Sequence, residues 1–276
     1  MKLLNGADLA DFIKERQAKQ VRALRQAWHT APKLAIIQTI DSPVIDAYVR
    51  LKRAYSEDVL VDVEHHKVTE DEAVELIGRL NDDDSVHGII VQLPLSDVGR
   101  TDELVNLVTP EKDVDALGEN AVLDPATPVA ISWLLAGYNV ELRNRKIVIV
   151  GQGRLVGAPL AKMWRSSGYD ITVVDGPNDH LAEIVHQADI IVSATGVPGI
   201  ITSDMIAPET VVVDAGTASE GGKIVGDIAV DVRELRNDLK ITPEKGGVGP
   251  LTIAALFDNV IRAARRVATL RDQASS

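Results

Sequence analysis

Strand-like and helix-like segments alternate twice along this chain, which predicts an α/β protein made of two α/β domains with parallel sheets and right-handed crossovers. Two further observations support this. KIVIVGQGRLVGAP (146–159) reads as a buried strand, a glycine-rich turn and the start of a helix, the arrangement by which Rossmann-type domains hold a dinucleotide pyrophosphate. The 276 residues also suffice for two modest domains sharing one cleft.

Residues 7–28 carry Leu9, Phe12, Ile13, Val21, Leu24 and Trp28 at helical spacing among charges, which predicts an amphipathic helix ended by Pro32. LAIIQT (34–39) is a short buried-strand pattern, and Ser42 with Pro43 starts a helical run over 41–57. VLVDVEHHKV (59–68) is strand-like. Residues 71–82 are helical, with Ala73, Leu76, Ile77 and Leu80 on one face. HGIIVQLPL (87–95) is a strand that turns at Pro94. TPEKDVDALGEN (109–120) is polar and turn-rich and marks a boundary, so the first domain is set at 1–120 and the second at 121–250. A helical run from Thr127 and Pro128 to Leu135 opens the second domain. Its strands are KIVIVG (146–151), DITVVDG (170–176), DIIVSATG (189–196), TVVVDAG (210–216) and a last one at LKITP (239–243). Helices follow from Pro159 and over HLAEIVHQA (180–188). LTIAALFDNVIRAARRVATL (251–270) reads as a helix that returns to complete the first domain.

The formal net charge of −12 argues against a non-specific nucleic-acid binder, whose affinity would need a basic surface. There is no cysteine, so disulfides and thiolate metal sites are excluded. Asp8, Asp11 and Lys14 interrupt the N-terminal region too early for a signal peptide, and no apolar run approaches the ~20 residues that span a bilayer. The expectation is a cytoplasmic protein with no membrane or nucleic-acid partner. His65 and His66 are adjacent, point to opposite faces of a strand and cannot clasp one metal, so no metal is expected. RAARRV (262–267) reads as a solvated helix face.

In the glycine turn, Gly151 and Gly153 allow a tight bend and close approach of backbone to phosphate, while Gly157 lets helix and strand pack closely. The bland alternative is a structural strand-to-helix turn. Asp175, 24 residues after Gly151 at the end of the next strand, is placed to accept from adenosine ribose hydroxyls and to repel a 2′-phosphate. Taken alone, these residues favour NAD over NADP. In the first domain Tyr48 and Lys52 lie four apart on one helix face. Such a pair is ordinarily a solvated surface pair; it gains interest because Gln92 and Pro94 end a buried strand that faces the same cleft. Asp113 and Asp115 stand in the boundary loop, where an acidic run is ordinarily just solvated.

YVRLK (48–52), GIIVQLPL (88–95), PEKDVD (110–115), VGAP (156–159), ADIIVSATGVPGIIT (188–202), VVVDAG (211–216), VGD (225–227) and GGVGPLT (246–252) cover most of the chain in a recognisable order. With them the chain resembles the bifunctional methylenetetrahydrofolate dehydrogenase/cyclohydrolase family, the FolD proteins. The resemblance implies an N-terminal folate-binding domain completed by the last helix, a Rossmann domain between them, and a homodimer. It implies that Lys52 is the central catalytic residue, with Tyr48 packing beside the folate and Gln92 positioning Lys52. Asp115 would bind the pterin's amide-like edge. Leu93, Gly247 and Pro250 would contribute to substrate binding, and Gly216 and Thr217 to the nicotinamide. The implied chemistry is oxidation of 5,10-methylenetetrahydrofolate with NAD(P), then hydrolysis of the methenyl product to 10-formyltetrahydrofolate.

The departures matter as much. The family commonly has Gly-Arg-Ser where this chain has Gly151, Gln152 and Gly153, and a polar-basic run where it has Asp175, Gly176 and Pro177. The resemblance therefore points to NADP, while Gln152 and Asp175 point to NAD. Ser96, Ala116, Ala126 and Lys245 replace the family's usual proline, glycine, cysteine and proline. Competing readings are another Rossmann dehydrogenase, a non-catalytic folate- or nucleotide-binding paralogue, and a cyclohydrolase with a weakened dehydrogenase.

Overall fold

The computed structural model describes residues 1–175, 180–220 and 223–275. In chain order its elements begin with β1 (Lys2–Leu3), α1 (Gly6–Ala27), β2 (Lys33–Gln38), α2 (Pro43–Val59), β3 (Asp62–Lys67), α3 (Glu70–Asp82), β4 (Gly88–Gln92), α4 (Thr101–Leu107) and α5 (Ala126–Gly137). They continue with β5 (Ile147–Val150), α6 (Gly157–Ser166), β6 (Ile171–Val174), α7 (Leu181–His186), β7 (Ile190–Ser193) and β8 (Val211–Asp214). The last are β9 (Ala218–Glu220), β10 (Lys223–Val225), α8 (Val230–Leu235), β11 (Lys240–Ile241) and α9 (Val248–Ser275).

These form two compact units: residues 11–126 with 253–276, and residues 1–10 with 127–252. The expected division places residues 1–10 in the first domain. They belong instead with the second, because β1 pairs in parallel with β11 at the edge of its sheet and Ala7 donates its N–H to the carbonyl of Gly246. A two-residue strand carries no periodicity, so this pairing has no signal in the sequence. The break falls after Ala126 rather than 120.

In the unit of 11–126 and 253–276, three parallel strands run in the order β3-β2-β4. Ala35, Ile37, Ile89 and Val91 bury against Ala73, Leu76, Ile77 and Leu80 of α3 and against Leu104 and Val105 of α4. α3 starts with a capping box in which Thr69 and Glu72 satisfy each other's backbone N–H groups. α9 packs into this unit through Phe257, whose ring lies 5.1 Å from that of Tyr55 on α2. Gln17, fully buried on α1, accepts from the Tyr55 hydroxyl at 2.8 Å and donates to the carbonyl of Ala254 at 2.8 Å.

In the other unit six parallel strands run β1-β11-β8-β7-β5-β6 around a core of Val150, Val174, Ile191, Val212 and Ile241. β9 and β10 form a separate antiparallel pair. Among the described residues no helix is long and apolar enough to cross a membrane.

His87, 3% exposed at the start of β4, accepts the N–H of Lys33 on its Nδ1. Burial first, and then the charges of Arg271, Lys112 and Lys33, push its pKa down from 6.5 to about 4. A histidine held neutral in the fold stabilises it fully above pH 6.5, and that contribution disappears as pH falls towards 4. We expect a loss of roughly 3 kcal/mol over this window from His87 alone, since each pH unit between the unfolded and folded pKa values is worth about 1.4 kcal/mol. His87→Asn, which keeps an acceptor for Lys33, should show a visibly flatter pH dependence of chemical denaturation between 6.5 and 4.

Candidate active site

On α2 the sheet-facing stripe runs Ile45, Val49, then Ser56 and Val59, all buried, and the spacing places Lys52 in the gap. The lysine therefore occupies a position where a helix ordinarily carries an apolar residue. Burial pushes its ammonium below the ordinary 10.5, while the negative charge of Asp115 opposes the shift. Its Nζ donates to Oε1 of Gln92 over 2.6 Å, and Gln92 Nε2 donates to the carbonyl of Leu93 at 3.2 Å. Gln92 is the last residue of β4, so this strand delivers an amide acceptor to the buried amine at the carboxyl end of the sheet. The Leu93–Pro94 peptide that follows is cis. Tyr48, one turn before Lys52, is half-buried, and burial raises its phenol pKa, so it stays protonated. Asp115 is raised by burial, with the charge of Lys52 pulling the other way.

The loop carrying Asp115 is fixed residue by residue. Lys112 Nζ donates to the carbonyls of Leu80, Asn81 and Asp83, which closes the C-terminus of α3. The carbonyl of Lys112 accepts the N–H of Ile89 on β4 at 2.8 Å. Asp113, 4% exposed, accepts the N–H of Gly118 at 2.8 Å. Asn259 Nδ2 on α9 donates to the carbonyls of Val114 and Asp124, each at 2.9 Å. Lys112, Asp113 and Val114 thus hold the loop, and Asp115, a half-buried residue, follows them. Ala116, in place of the family's glycine, sits at φ +56°, the left-handed region that disfavours a side chain.

The predicted cofactor residues lie in the six-stranded unit. Gly151 has φ +103°, and a Cβ there would stand 2.5 Å from the carbonyl oxygen of Ala194; one on Gly157 would stand 2.0 Å from that of Gly151. Both glycines are required by the curl of the turn itself. Gly153 is not, since a Cβ there would meet only the Ala194 oxygen at 3.9 Å. α6 begins at Gly157, two residues before the predicted Pro159, and has no side-chain cap. Ala158 donates its N–H back to the carbonyl of Gly153 at 3.2 Å and Pro159 has none, so it is the glycine bend with the helix start behind it that fits a pyrophosphate. Gln152 is exposed. Asp175, also exposed, directly follows Val174, whose carbonyl accepts the N–H of Gly151 at 2.7 Å. Gly176 and Pro177 lie outside the described residues.

Gly216 packs against Asp227, and Thr217 is exposed next to it. Gly247 and Pro250 belong to this unit, at the entry to α9. The structure thus brings Lys52, Gln92 and the charge of Asp115 together, with Tyr48 one turn away. It gathers the glycines of the turn beside Asp175.

Sequence reasoning missed a buried polar cluster at the carboxyl ends of β7 and β8. Asp227 Oδ2 accepts from Ser193 Oγ at 2.7 Å and from the N–H of Thr195 at 2.6 Å. Asp214 accepts the N–H groups of Gly216, Asp227 and Ile228 and pairs with Arg233 at 3.2 Å. The VGD motif is visible in the sequence; its tie to Ser193, 34 residues away, is not. Asn259 likewise carries no local signal beyond its place in a helix.

Comparisons with known proteins show the family. Residues 4–115 match the catalytic-domain model of tetrahydrofolate dehydrogenase/cyclohydrolase, and residues 125–268 match its NAD(P)-binding domain. The bifunctional protein FolD of Amoebophilus asiaticus is 38% identical, over 95% of this chain and 96% of that protein. The crystal structure of the FolD enzyme of Campylobacter jejuni superposes with a TM-score of 0.90 at 34% identity, over 96% and 99% of the two chains. The FolD enzyme of Trypanosoma brucei, solved with NADP cofactor and inhibitor, gives 0.89 at 29% identity, over 96% and 97%. Two domain models that together span nearly the whole chain, with relatives above 30% identity over nearly their full length, leave one conclusion: the chain belongs to the bifunctional tetrahydrofolate dehydrogenase/cyclohydrolase family.

Proposed function

We propose that Lys52, Gln92, Tyr48 and Asp115 carry the folate chemistry and that the turn at 151–157, with Asp175, Gly216 and Thr217, binds the dinucleotide. The protein is a methylenetetrahydrofolate dehydrogenase and methenyltetrahydrofolate cyclohydrolase. The observation that carries the residue assignment is a lysine amine desolvated on a helix stripe and held at 2.6 Å by a glutamine.

The bound NAD(P)+ supplies a hydride acceptor for the bridging carbon of 5,10-methylenetetrahydrofolate. For that step the protein mainly has to hold its reactants in place. Asp115 would accept two N–H bonds from the pterin's amide-like edge, and Tyr48 would pack against the ring. The product is a methenyl cation. Its positive charge adds to burial in disfavouring the ammonium form of Lys52, against the opposing charge of Asp115, and so favours the neutral amine. Gln92 accepts one N–H and turns the lone pair of Nζ away from itself. Water then attacks the methenyl carbon, and Lys52 takes a proton from it. As the C–N5 bond of the adduct breaks, N5 gains a proton and the carbon becomes a formyl group. Of the two water protons one ends on N5 and one is released.

Asp175 and Gln152 support NAD as the preferred cofactor: a carboxylate one residue beyond β6 would repel a 2′-phosphate, and Gln152 stands where the family commonly has arginine. The 1–120 and 121–250 division, shifted as the compact units indicate, maps onto folate and nucleotide binding. A homodimer and a cytoplasmic location belong to the same reading; sedimentation at twice the chain mass is the expected result.

Lys52→Met should reduce methenyltetrahydrofolate hydrolysis by about 100-fold or more, the usual worth of a general base; near-wild-type hydrolysis rejects the assignment. In the wild type the hydrolysis rate should rise with pH as the amine deprotonates, with a midpoint below 10.5. Steady-state oxidation of methylenetetrahydrofolate should show a higher kcat/KM with NAD+ than with NADP+. Asp175→Ser should move that ratio towards NADP+ by about tenfold, equivalent to about 1.4 kcal/mol. Equal or better use of NADP+ by the wild type contradicts the role given to Asp175.

A further inference from the structure

α9 is apolar where it faces its unit: Ala255, Leu256, Phe257, Val260 and Ile261 are each no more than 2% exposed. Asn259 interrupts that face and is itself only 3% exposed. Burying an amide is costly unless its hydrogens are used, and here Nδ2 reaches two backbone carbonyls, those of Val114 and Asp124, at 2.9 Å each. These carbonyls stand at the two ends of the segment 114–124, so one side chain from the far end of the sequence pins both. The carbonyl of Val114 lies in the same rigid peptide plane as the N–H of Asp115. Fixing it therefore fixes the plane from which the Asp115 side chain departs. On the other side of Asp115, Ala116 is held at φ +56° and donates to the carbonyl of Asp113 at 3.3 Å. Within the loop the Asp113 carboxylate is occupied by Gly118.

We propose that Asn259 is a positioning residue for folate recognition: by holding the Val114–Asp115 peptide plane from α9, it aims the Asp115 carboxylate at the substrate. This rests on the reading of Asp115 as the group that grips the pterin edge. A carboxylate that must accept two parallel N–H bonds tolerates little rotation, so loosening its peptide plane weakens binding more than it weakens the fold. The role also gives α9 a functional share in the folate site, through a residue that itself stands behind the loop.

The test is a double-mutant cycle on the full-length enzyme with Asn259→Ala, Asp115→Ala and the double variant. Asn259→Ser, which keeps one donor, is a second variant should the alanine protein fold poorly. The expected result is a rise of about tenfold in KM for methylenetetrahydrofolate in Asn259→Ala and a smaller rise in Asn259→Ser. The KM for the dinucleotide should be unchanged and kcat should move less than about threefold. In the Asp115→Ala background, Asn259→Ala should add nothing further to the folate KM. Three results overturn the proposal: an unchanged folate KM in a folded Asn259→Ala enzyme, a parallel rise in dinucleotide KM, or additivity with Asp115→Ala. If Asp115→Ala alone leaves the folate KM unchanged, the reading of Asp115 falls, and the inference with it. That result is distinguishable because it appears in the single Asp115 variant.

Discussion

Both parallel sheets obey the same topological constraint. In one unit the chain runs from β2 to β3 on one side and then to β4 on the other; in the other it runs from β5 to β6 and then back past β5 to β7. Where successive parallel strands are laid on opposite sides of a first strand, their crossovers depart in opposite directions and leave a crevice at the carboxyl ends. Gln38 and Gln92 end the neighbouring strands β2 and β4 in register. Gly151 follows the end of β5. The candidate chemistry of each unit stands where its strand order reverses, and the rest of each site is built onto that crevice.

The constraint explains where polar groups gather, and desolvation explains what they become. A lysine placed on a sheet-facing stripe cannot keep its usual hydration, and the charged form bears the cost. Gln92 offers a neutral acceptor, which satisfies an N–H without restoring the charge as a carboxylate contact would. The charge of Asp115 opposes the lowering of Lys52, and the charge of Lys52 opposes the raising of Asp115, so burial shifts both groups towards neutrality while each partner's charge resists it. A fully exposed lysine would stay protonated near neutrality, and a lysine in tight contact with a carboxylate would do the same.

Much of this is legible in the sequence, for identifiable reasons. Strands β2, β4, β5, β7 and β8 carry buried apolar runs, the helices carry 3.6-residue periodicity, and Ser42 with Pro43 marks a start. Lys52 looks like half of a surface pair when set beside Tyr48 alone, although the stripe 45-49-52-56-59 holds the stronger signal. Illegible features are those made by contacts distant in sequence. β1 is too short for a pattern and is defined by β11, far along the chain. The Asp227 and Asn259 bonds join segments 34 and 145 residues apart, and no local rule connects them. α4 is hidden in a polar stretch because only Thr101, Leu104 and Val105 are buried in it.

The cofactor turn separates backbone from side-chain duties in a way that accounts for its unusual sequence. Its curl is set by Gly151, whose φ of +103° and contact with Ala194 admit no side chain, and by Gly157, which abuts the carbonyl of Gly151. Residues 152 and 153 lie between these fixed points, exposed and with no packing demand on them. They can change from the family's arginine and serine to glutamine and glycine without altering the path of the chain. The glycine bend and the start of α6 depend on that path alone, so on the proposed reading the pyrophosphate site survives the change. What changes, on the same reading, is the chemistry offered to the adenosine, since Asp175 extends one residue past β6 and lies next to the turn through the bond from Gly151 to Val174. On the reading proposed for Gln152 and Asp175, a family member can therefore keep the backbone of its nucleotide domain and still differ in which dinucleotide it prefers, because the fold does not constrain those two exposed side chains.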